Sequence, residues 1–264
     1  MNMLSTRYVE NWNISSRALD KLGMYEKILG RYDFRGKRVA QFGVGTGIET
    51  ERIWQKNPLC ILGLEHDFDC LDVSAEYLRK KGYPVNETRD IDGLAEPTGP
   101  AWRVKGDSIN LAPADYTDAS TIDLTLHEKF DFGVFTFVGG YNYFPVFGDS
   151  IIFDPLQAYD FLLKKGGILI NAERILTSDP DGLQKEMFFV PAGYALKFFE
   201  TEINRPAVEA SMWGNNKIGF HGEGSLVKQS MPQANEGELA KLFLDSAEKE
   251  GLKPVIYRLE IEKV

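Results

Sequence analysis

The segment between residues 37 and 67 constrains the fold of this chain more than any other. A short apolar run, 39–42, leads into three closely spaced glycines and a helix-compatible stretch, and a second apolar run, 60–64, ends on Glu65. Glycines let the backbone turn sharply and approach a ligand, and a helix start directs free N–H groups toward it. A carboxylate at the second strand tip can accept hydrogen bonds from both hydroxyls of a ribose. The 22 positions (65 − 43) from Gly43 to Glu65 fit the roughly 20 of a βαβ nucleotide unit.

The spacing of the glycines indicates which nucleoside is bound. A dinucleotide-binding loop follows G-x-G-x-x-G, whereas this loop has Gly43, Gly45 and Gly47, with Ile48 in the sixth position. G-x-G-x-G between a hydrophobic strand and an acidic strand tip resembles motif I of the class I S-adenosylmethionine-dependent methyltransferases. Since there is no pyrophosphate to neutralise, such a loop only has to pass closely beneath the amino-acid part of the cofactor.

Three further segments resemble this family, in the family's order. Val104–Ser108 resembles the end of its third strand, where an acidic residue and its neighbour meet the adenine, and Phe130–Phe137 resembles its fourth strand, "FD" followed by an apolar run. Leu162–Ile170, with paired glycines at a turn, resembles the helix end and fifth strand. The resemblance covers roughly residues 36 to 175.

The resemblance implies an α/β fold: a doubly wound, mostly parallel Rossmann-like sheet flanked by helices. We expect a single domain over residues 1–264, with an N-terminal helical segment at 1–30 that either covers the cofactor pocket or only packs against the sheet. An inserted substrate cap is expected at 178–233. The implied cofactor is S-adenosylmethionine, and the residues expected to bind it are Gln41, Gly43, Gly45, Gly47, Glu65, His66, Asp107, Ser108 and Phe137.

One position departs from the family pattern. The family usually has Asp or Glu two positions before the first glycine, where it helps to hold the ammonium group of the cofactor, and this chain has Gln41. A glutamine can accept a hydrogen bond but supplies no charge. Three explanations are open: the ammonium group has another acceptor, the cofactor binds weakly, or the pocket serves another purpose.

Composition narrows the classes of partner. The formal net charge is −9, without a lysine or arginine cluster, so the chain is a poor candidate for binding a nucleic-acid backbone. No apolar stretch is long enough to span a membrane, and residues 1–7 lack the apolar core of a signal peptide. We therefore expect a cytoplasmic protein with a small-molecule substrate; no metal site is expected, and the sequence leaves the oligomeric state open.

The expected activity is methyl transfer from S-adenosylmethionine to a small molecule. The run 137–144 replaces the Asn/Asp-Pro-Pro-Tyr/Phe motif of amino-group methyltransferases that act on nucleic-acid bases or protein glutamine. The candidate catalytic residues are His221, whose pKa would suit a general base, and Tyr141 in an aromatic-lined pocket. A solvated loop histidine and plain packing are the alternatives for these two. The alternative function is a methyltransferase fold used for aminopropyl- or aminocarboxypropyl-type transfer, or for ligand binding without methyl transfer.

Overall fold

The structure, a computed structural model, describes residues 3–87, 104–114, 119–122, 124–137, 155–181, 193–212 and 236–264. Within those ranges the helices are α1 (Met3–Lys21), α2 (Met24–Leu29), α3 (Ile48–Trp54), α4 (Phe68–Lys80), α5 (Pro155–Leu162), α6 (Arg205–Met212) and α7 (Glu236–Lys249). The strands are β1 (Arg38–Phe42), β2 (Cys60–Glu65), β3 (Val85–Glu87), β4 (Ile109–Pro113), β5 (Phe130–Thr136), β6 (Leu163–Thr177), β7 (Tyr194–Ile203) and β8 (Lys253–Lys263).

The described strands form one sheet in the order β3-β4-β2-β1-β5-β6-β8-β7. The pairs from β3 to β6 are parallel, and β8 runs antiparallel to both of its neighbours. β2 is buried at every position, and β1 at every position but its first. Strands buried on both faces read as continuous apolar runs, which is why these two were visible in the sequence. The predicted doubly wound, mostly parallel sheet is confirmed.

Helices cover both faces of this sheet. On one face, Leu19 of α1, Ile53 of α3 and Leu78 of α4 belong to the same buried cluster. On the other face, Tyr159 of α5 packs edge-on against Phe42 of β1, with ring centroids 4.1 Å apart. No helix in the described ranges is both long and apolar enough to cross a membrane.

The chain order reverses beside β1, and this point fixes where a ligand can bind. From β1 the chain passes to β2 on one side, whereas β5 lies on the other side of β1. In open α/β sheets the loops after two such strands part at their carboxyl ends and leave a crevice. The glycine loop follows β1 directly, so it lies at this crevice.

Two segments differ from the sequence-based expectation. Tyr194–Ile203 lies within the expected cap, but it forms the edge strand β7, which pairs with β8 from Tyr194↔Lys263 to Ile203↔Val255. This strand belongs to the sheet and is absent from the cleft lining, and α6 (Arg205–Met212) also falls within the expected range. Positions 182–192 and 213–235 lie outside the described residues, so a cap formed by them stays a prediction. The expected strand end at Val104–Ser108 was wrong, because β4 only begins at Ile109.

Candidate functional site: a cleft at the carboxyl ends of three strands

A cleft opens above the carboxyl ends of β1, β2 and β5. Its empty volume, counted out to the open mouth and including open solvent, is about 510 Å³. The described residues that line it are Trp12, Ser16, Leu19, Tyr25, Gly43, Val44, Gly45, Glu49, Glu65, His66, Cys70, Thr136 and Phe137.

The glycine loop forms the floor of the cleft. Gly43, Gly45 and Gly47 all have positive φ, at 73°, 57° and 83°, a conformation that favours glycine. The Gly43 N–H donates to the carbonyl oxygen of Leu64 at 2.8 Å, which ties the loop to β2. Ser74 of α4 donates through Oγ to the Gly45 carbonyl oxygen at 2.9 Å. The loop is therefore held from both sides.

Glu65 closes the loop from the tip of β2. Its Oε2 accepts the Gly45 N–H at 2.9 Å, and its Oε1 accepts the backbone N–H groups of His66 at 2.9 Å and Asp67 at 3.1 Å. The Nδ1 of His66 lies 3.0 Å from the same Oε1. A carboxylate offers about four acceptor sites, so the single donor on Oε2 leaves capacity for a ligand hydroxyl. Gly45 and Glu65, both predicted to bind the cofactor, thus form one hydrogen-bonded unit.

The geometry at Gly45 leaves room for a ligand. A Cβ atom built on Gly45 would meet no heavy atom within 4 Å, whereas one on Gly47 would lie 3.2 Å from Cα of Ser74. Gly45 therefore faces open space in the cleft, and Gly47 packs against α4. Gly47 is absent from the cleft lining of the described residues, so its part is to permit the turn.

The N-terminal helices form the opposite wall. Trp12, Ser16 and Leu19 of α1 and Tyr25 of α2 line the cleft. Ser15 of α1 donates through its hydroxyl to the carbonyl oxygen of Ala210 in α6 at 2.7 Å, which fixes α1 in place. Of the two readings of the N-terminal segment, the structure supports the one in which it covers the cleft.

Glu49, the second residue of α3, is a buried carboxylate in the cleft wall. It is 5% exposed, accepts a hydrogen bond from Gln41 Nε2 at 3.0 Å through Oε2, and accepts another from the Thr136 hydroxyl through Oε1. Burial raises the pKa of Glu49 to about 7, against the opposing effect of the hydrogen bonds from Thr136 and Gln41. In the described part of the chain, no lysine or arginine forms an ion pair with this carboxylate.

Gln41 stands behind Glu49 and does not reach the cleft. It is fully buried, and its Oε1 accepts the Thr50 hydroxyl at 2.7 Å while its Nε2 donates to Glu49. Gln41 is absent from the cleft lining of the described residues. Its expected contact with the cofactor is therefore replaced by a contact with Glu49.

The other predicted site residues fall into three groups. Glu65, His66 and Phe137 are brought to the cleft together with the glycine loop. Asp107 and Ser108 precede β4, whose first residue Ile109 pairs with Ile61 near the start of β2. They therefore lie at the amino-terminal edge of the sheet, away from the cleft, and the adenine contact expected of them is contradicted.

The two predicted catalytic residues are not among the described residues, and three residues that line the cleft were not predicted. His221 and Tyr141 lie outside the described residues, so their catalytic roles stay predictions. Glu49, Thr136 and Tyr25 line the cleft and were missed. Only Glu49 had a signal in the sequence, since it is an acid eight positions after the glutamine that stands in place of the expected carboxylate.

Cys70 of α4 also lines the cleft, where its thiol is buried. Burial, with the added effect of the charges on Glu65, Asp67 and Asp69, raises its pKa well above the ordinary value. A protonated thiol is a poor nucleophile. We therefore interpret this buried cysteine as a structural residue.

Comparison with known proteins gives matches at the level of structure. No family model and no curated sequence matches the chain. The [4+2]-cyclase SpnF matches with a TM-score of 0.52 at 15% identity, over 92% of this chain and 81% of SpnF. The geranyl diphosphate C-methyltransferase of Streptomyces coelicolor A3(2), solved with Mg²⁺, geranyl diphosphate and S-adenosylhomocysteine, matches with a TM-score of 0.53 at 10% identity, over 92% and 81% of the two chains.

A third structure, of a geranyl diphosphate methyltransferase in complex with S-adenosylmethionine, gives a TM-score of 0.52 at 11% identity and covers 95% of this chain and 85% of that one. At such identities the likeness concerns the fold. The chain has the fold of the class I S-adenosylmethionine-dependent methyltransferases, and the cleft lies where the chain order of that fold reverses.

Proposed function

We propose that this protein is an S-adenosylmethionine-dependent methyltransferase that acts on a small molecule. The observation that carries the proposal is the unit formed by Gly45 and Glu65, in which the loop N–H donates to the carboxylate at 2.9 Å while the Gly45 Cα faces open space. This arrangement suits a nucleoside whose ribose hydroxyls meet Glu65 and whose remaining part passes over the loop. The structural neighbours that carry S-adenosylmethionine or S-adenosylhomocysteine support the choice of cofactor.

The residues of the cleft would act mainly by positioning. When bound, the sulfonium cofactor supplies both the methyl group and its leaving group, so the protein has to align the acceptor with the methyl carbon. Glu65 would fix the ribose and the glycine loop would carry the amino-acid part. Thr136 and Phe137, at the carboxyl end of β5, would form the side of the cleft that the acceptor meets.

A small acceptor agrees with the helical wall that stands over the cleft. Trp12, Leu19 and Tyr25 of the helices α1 and α2 form one wall of the cleft and offer apolar and aromatic surface to an acceptor. The net charge of −9 argues against a nucleic-acid acceptor. If the acceptor must lose a proton, His221 is proposed as the base and Tyr141 as a lining residue that orients the acceptor.

A second function is favoured by one of the comparisons. SpnF, whose name describes a [4+2]-cyclase, has the same fold. A protein named for a reaction other than methyl transfer thus has this fold, and fold alone does not fix the reaction. The alternative we keep is an aminopropyl- or aminocarboxypropyl-type transfer, or ligand binding without methyl transfer.

The test has two parts. Isothermal titration calorimetry should give saturable binding of S-adenosylmethionine and S-adenosylhomocysteine, and tight binding of NADH with no affinity for either sulfur nucleoside would contradict the cofactor assignment. Mass spectrometry of a panel of small acceptors incubated with methyl-labelled cofactor then separates the two functions. Methyl transfer adds one labelled carbon to an acceptor. Aminocarboxypropyl transfer, or aminopropyl transfer when the decarboxylated cofactor is supplied, leaves that label on methylthioadenosine, and binding without transfer leaves the label on the intact cofactor.

A further inference from the structure

Resting on the proposed function, we infer that Glu49, and not the residue at position 41, is the group that holds the ammonium of the cofactor. The side chain of Glu49 lines the cleft. The side chain of Gln41 lies behind Glu49 and donates a hydrogen bond to its carboxylate. This chain thus has its carboxylate in the first turn of α3 and not at the end of β1, where the family pattern places it.

The contacts of Glu49 indicate a site prepared for a cation. Both of its carboxylate oxygens accept hydrogen bonds from neutral donors, Gln41 Nε2 and Thr136 Oγ1, which orient the group without neutralising it. Removing a carboxylate from water without a cationic partner is costly. No lysine or arginine of the described residues pairs with Glu49, so an ammonium group of the ligand would supply the positive charge that this carboxylate lacks there.

The positions of Glu65 and Glu49 indicate which part of the ligand each would contact, and the ammonium group is the part that would meet Glu49. Glu65 marks the ribose end of the cleft, and Glu49 lies on the helix that follows the glycine loop, where the amino-acid part would pass. A charge-assisted hydrogen bond between an ammonium and a buried carboxylate is among the stronger polar contacts. The site therefore selects for sulfur nucleosides that carry the amino-acid group.

Glu51 offers a matched control in the same helix. It is 4% exposed, and it accepts hydrogen bonds from the hydroxyls of Tyr77 and of Tyr83, the latter at 2.9 Å. It does not line the cleft. Glu51→Gln therefore makes the same chemical change at the same depth, but away from the ligand.

The experiment compares two ligands by calorimetry at pH 8. S-adenosylhomocysteine carries the ammonium, and 5′-methylthioadenosine keeps the adenosine and the thioether but lacks the amino-acid part. Glu49→Gln should weaken S-adenosylhomocysteine by about 10- to 100-fold and should leave 5′-methylthioadenosine nearly unchanged. Glu51→Gln should leave both affinities as in the wild type.

The outcomes separate this inference from the proposed function. Wild-type protein that binds neither ligand would overturn the proposed function and the inference with it. Wild-type binding with an unchanged Glu49→Gln affinity, or with equal losses for both ligands, would overturn the inference alone. If Glu49→Gln yields no folded protein, Thr136→Val provides the second variant: it removes a donor to Glu49 and must weaken S-adenosylhomocysteine more than 5′-methylthioadenosine, and equal effects would overturn the inference.

Discussion

The backbone N–H of Gly45 donates to the carboxylate of Glu65 across 2.9 Å, although twenty positions separate the two residues in the chain. This bond joins the loop after β1 to the tip of β2, so the two parts of the expected cofactor site form one unit. A change at either residue should therefore affect both the ligand and the loop.

Replacement of Glu65 by alanine should abolish most of the affinity for S-adenosylhomocysteine. The charge-assisted hydrogen bond that the free position on Oε2 offers to a ribose hydroxyl would be lost, worth about 1.5–3 kcal/mol, so the affinity should fall about 10- to 100-fold. Asp67→Ala is the control, because Asp67 accepts from the N–H groups of Asp69 and Cys70 as the cap of α4. It should lower the free energy of unfolding by about 1 kcal/mol with little effect on calorimetric binding. An unchanged affinity in Glu65→Ala would contradict the assignment.

Gly45→Ala should distinguish the effect of backbone strain on stability from the effect of an added Cβ atom on ligand binding. Gly45 and Gly36 have φ of 57° and 66°, and a Cβ on either would meet no heavy atom within 4 Å. Both alanine variants should therefore lose about 1–2 kcal/mol of stability from the left-handed backbone alone. Only Gly45 faces the cleft, so only its variant should lose S-adenosylhomocysteine affinity beyond tenfold. Equal affinities in the two variants, measured by calorimetry, would argue against a ligand passing over the loop.

The sequence predicted the parts of the fold in which local pattern and tertiary position agree. The run Val39–Phe42, the glycines and Glu65 were all placed correctly, because a strand buried on both faces has an unbroken apolar sequence and its sharp turn demands glycine. The strand Tyr194–Ile203 was missed, since an edge strand with mixed burial has no such pattern. Its place in the sheet comes from pairing with β8, which is distant in sequence.

Two errors at the site have separate physical causes. Asp107 has a φ of 57°, so the chain turns there and the strand starts only at Ile109; an acid beside an apolar run gave no indication of which end of the strand it occupied. Glu49 resembled an ordinary acid in a first helical turn. Its role depends on the contacts with Gln41 and Thr136, which only the folded chain brings together.

Gln41→Glu tests the relation between positions 41 and 49. The substitution places a second carboxylate about 3.0 Å from that of Glu49, and two such groups in a buried site cannot both ionise. The variant should lose on the order of 1–3 kcal/mol of stability and should not bind S-adenosylhomocysteine more tightly. The double variant Gln41→Glu with Glu49→Gln should recover stability in urea unfolding. A tenfold gain in affinity for the single variant would show that position 41 itself reaches the ligand.

His221→Ala tests the proposed base. If His221 removes a proton from the acceptor, the variant should lose turnover by about 10²–10⁴-fold while its cofactor affinity stays within twofold. His127 provides a control histidine, because its ring packs edge-on against Phe161 with centroids 5.0 Å apart, away from the cleft. Turnover measured with the acceptor found by mass spectrometry tests whether His221 acts as the base. Equal rates in His221→Ala and wild type would make His221 a surface histidine.

Glu49→Gln should also change how stability depends on pH. Burial raises the folded-state pKa of Glu49 from 4.5 to about 7, so below pH 4.5 the group is protonated in both the folded and the unfolded protein and costs nothing. As the pH rises from 4.5 to 7, the unfolded state gains free energy by ionising this group and the folded state does not. By pH 7 the wild type has therefore lost roughly 3 kcal/mol of stability relative to a variant with a neutral side chain.

The titratable groups that face Glu49 across the cleft are Tyr25, Glu65, His66 and Cys70, and they remain the same in both proteins. The difference in the free energy of unfolding, Glu49→Gln minus wild type, should therefore be close to zero at pH 4, grow between pH 4.5 and 7, and stay level above that. Urea unfolding at pH values from 4 to 8, without ligand, measures it directly. A difference that is the same at every pH would mean that Glu49 is no more difficult to ionise in the fold than in water, and the case for a ligand-supplied cation would lose its energetic support.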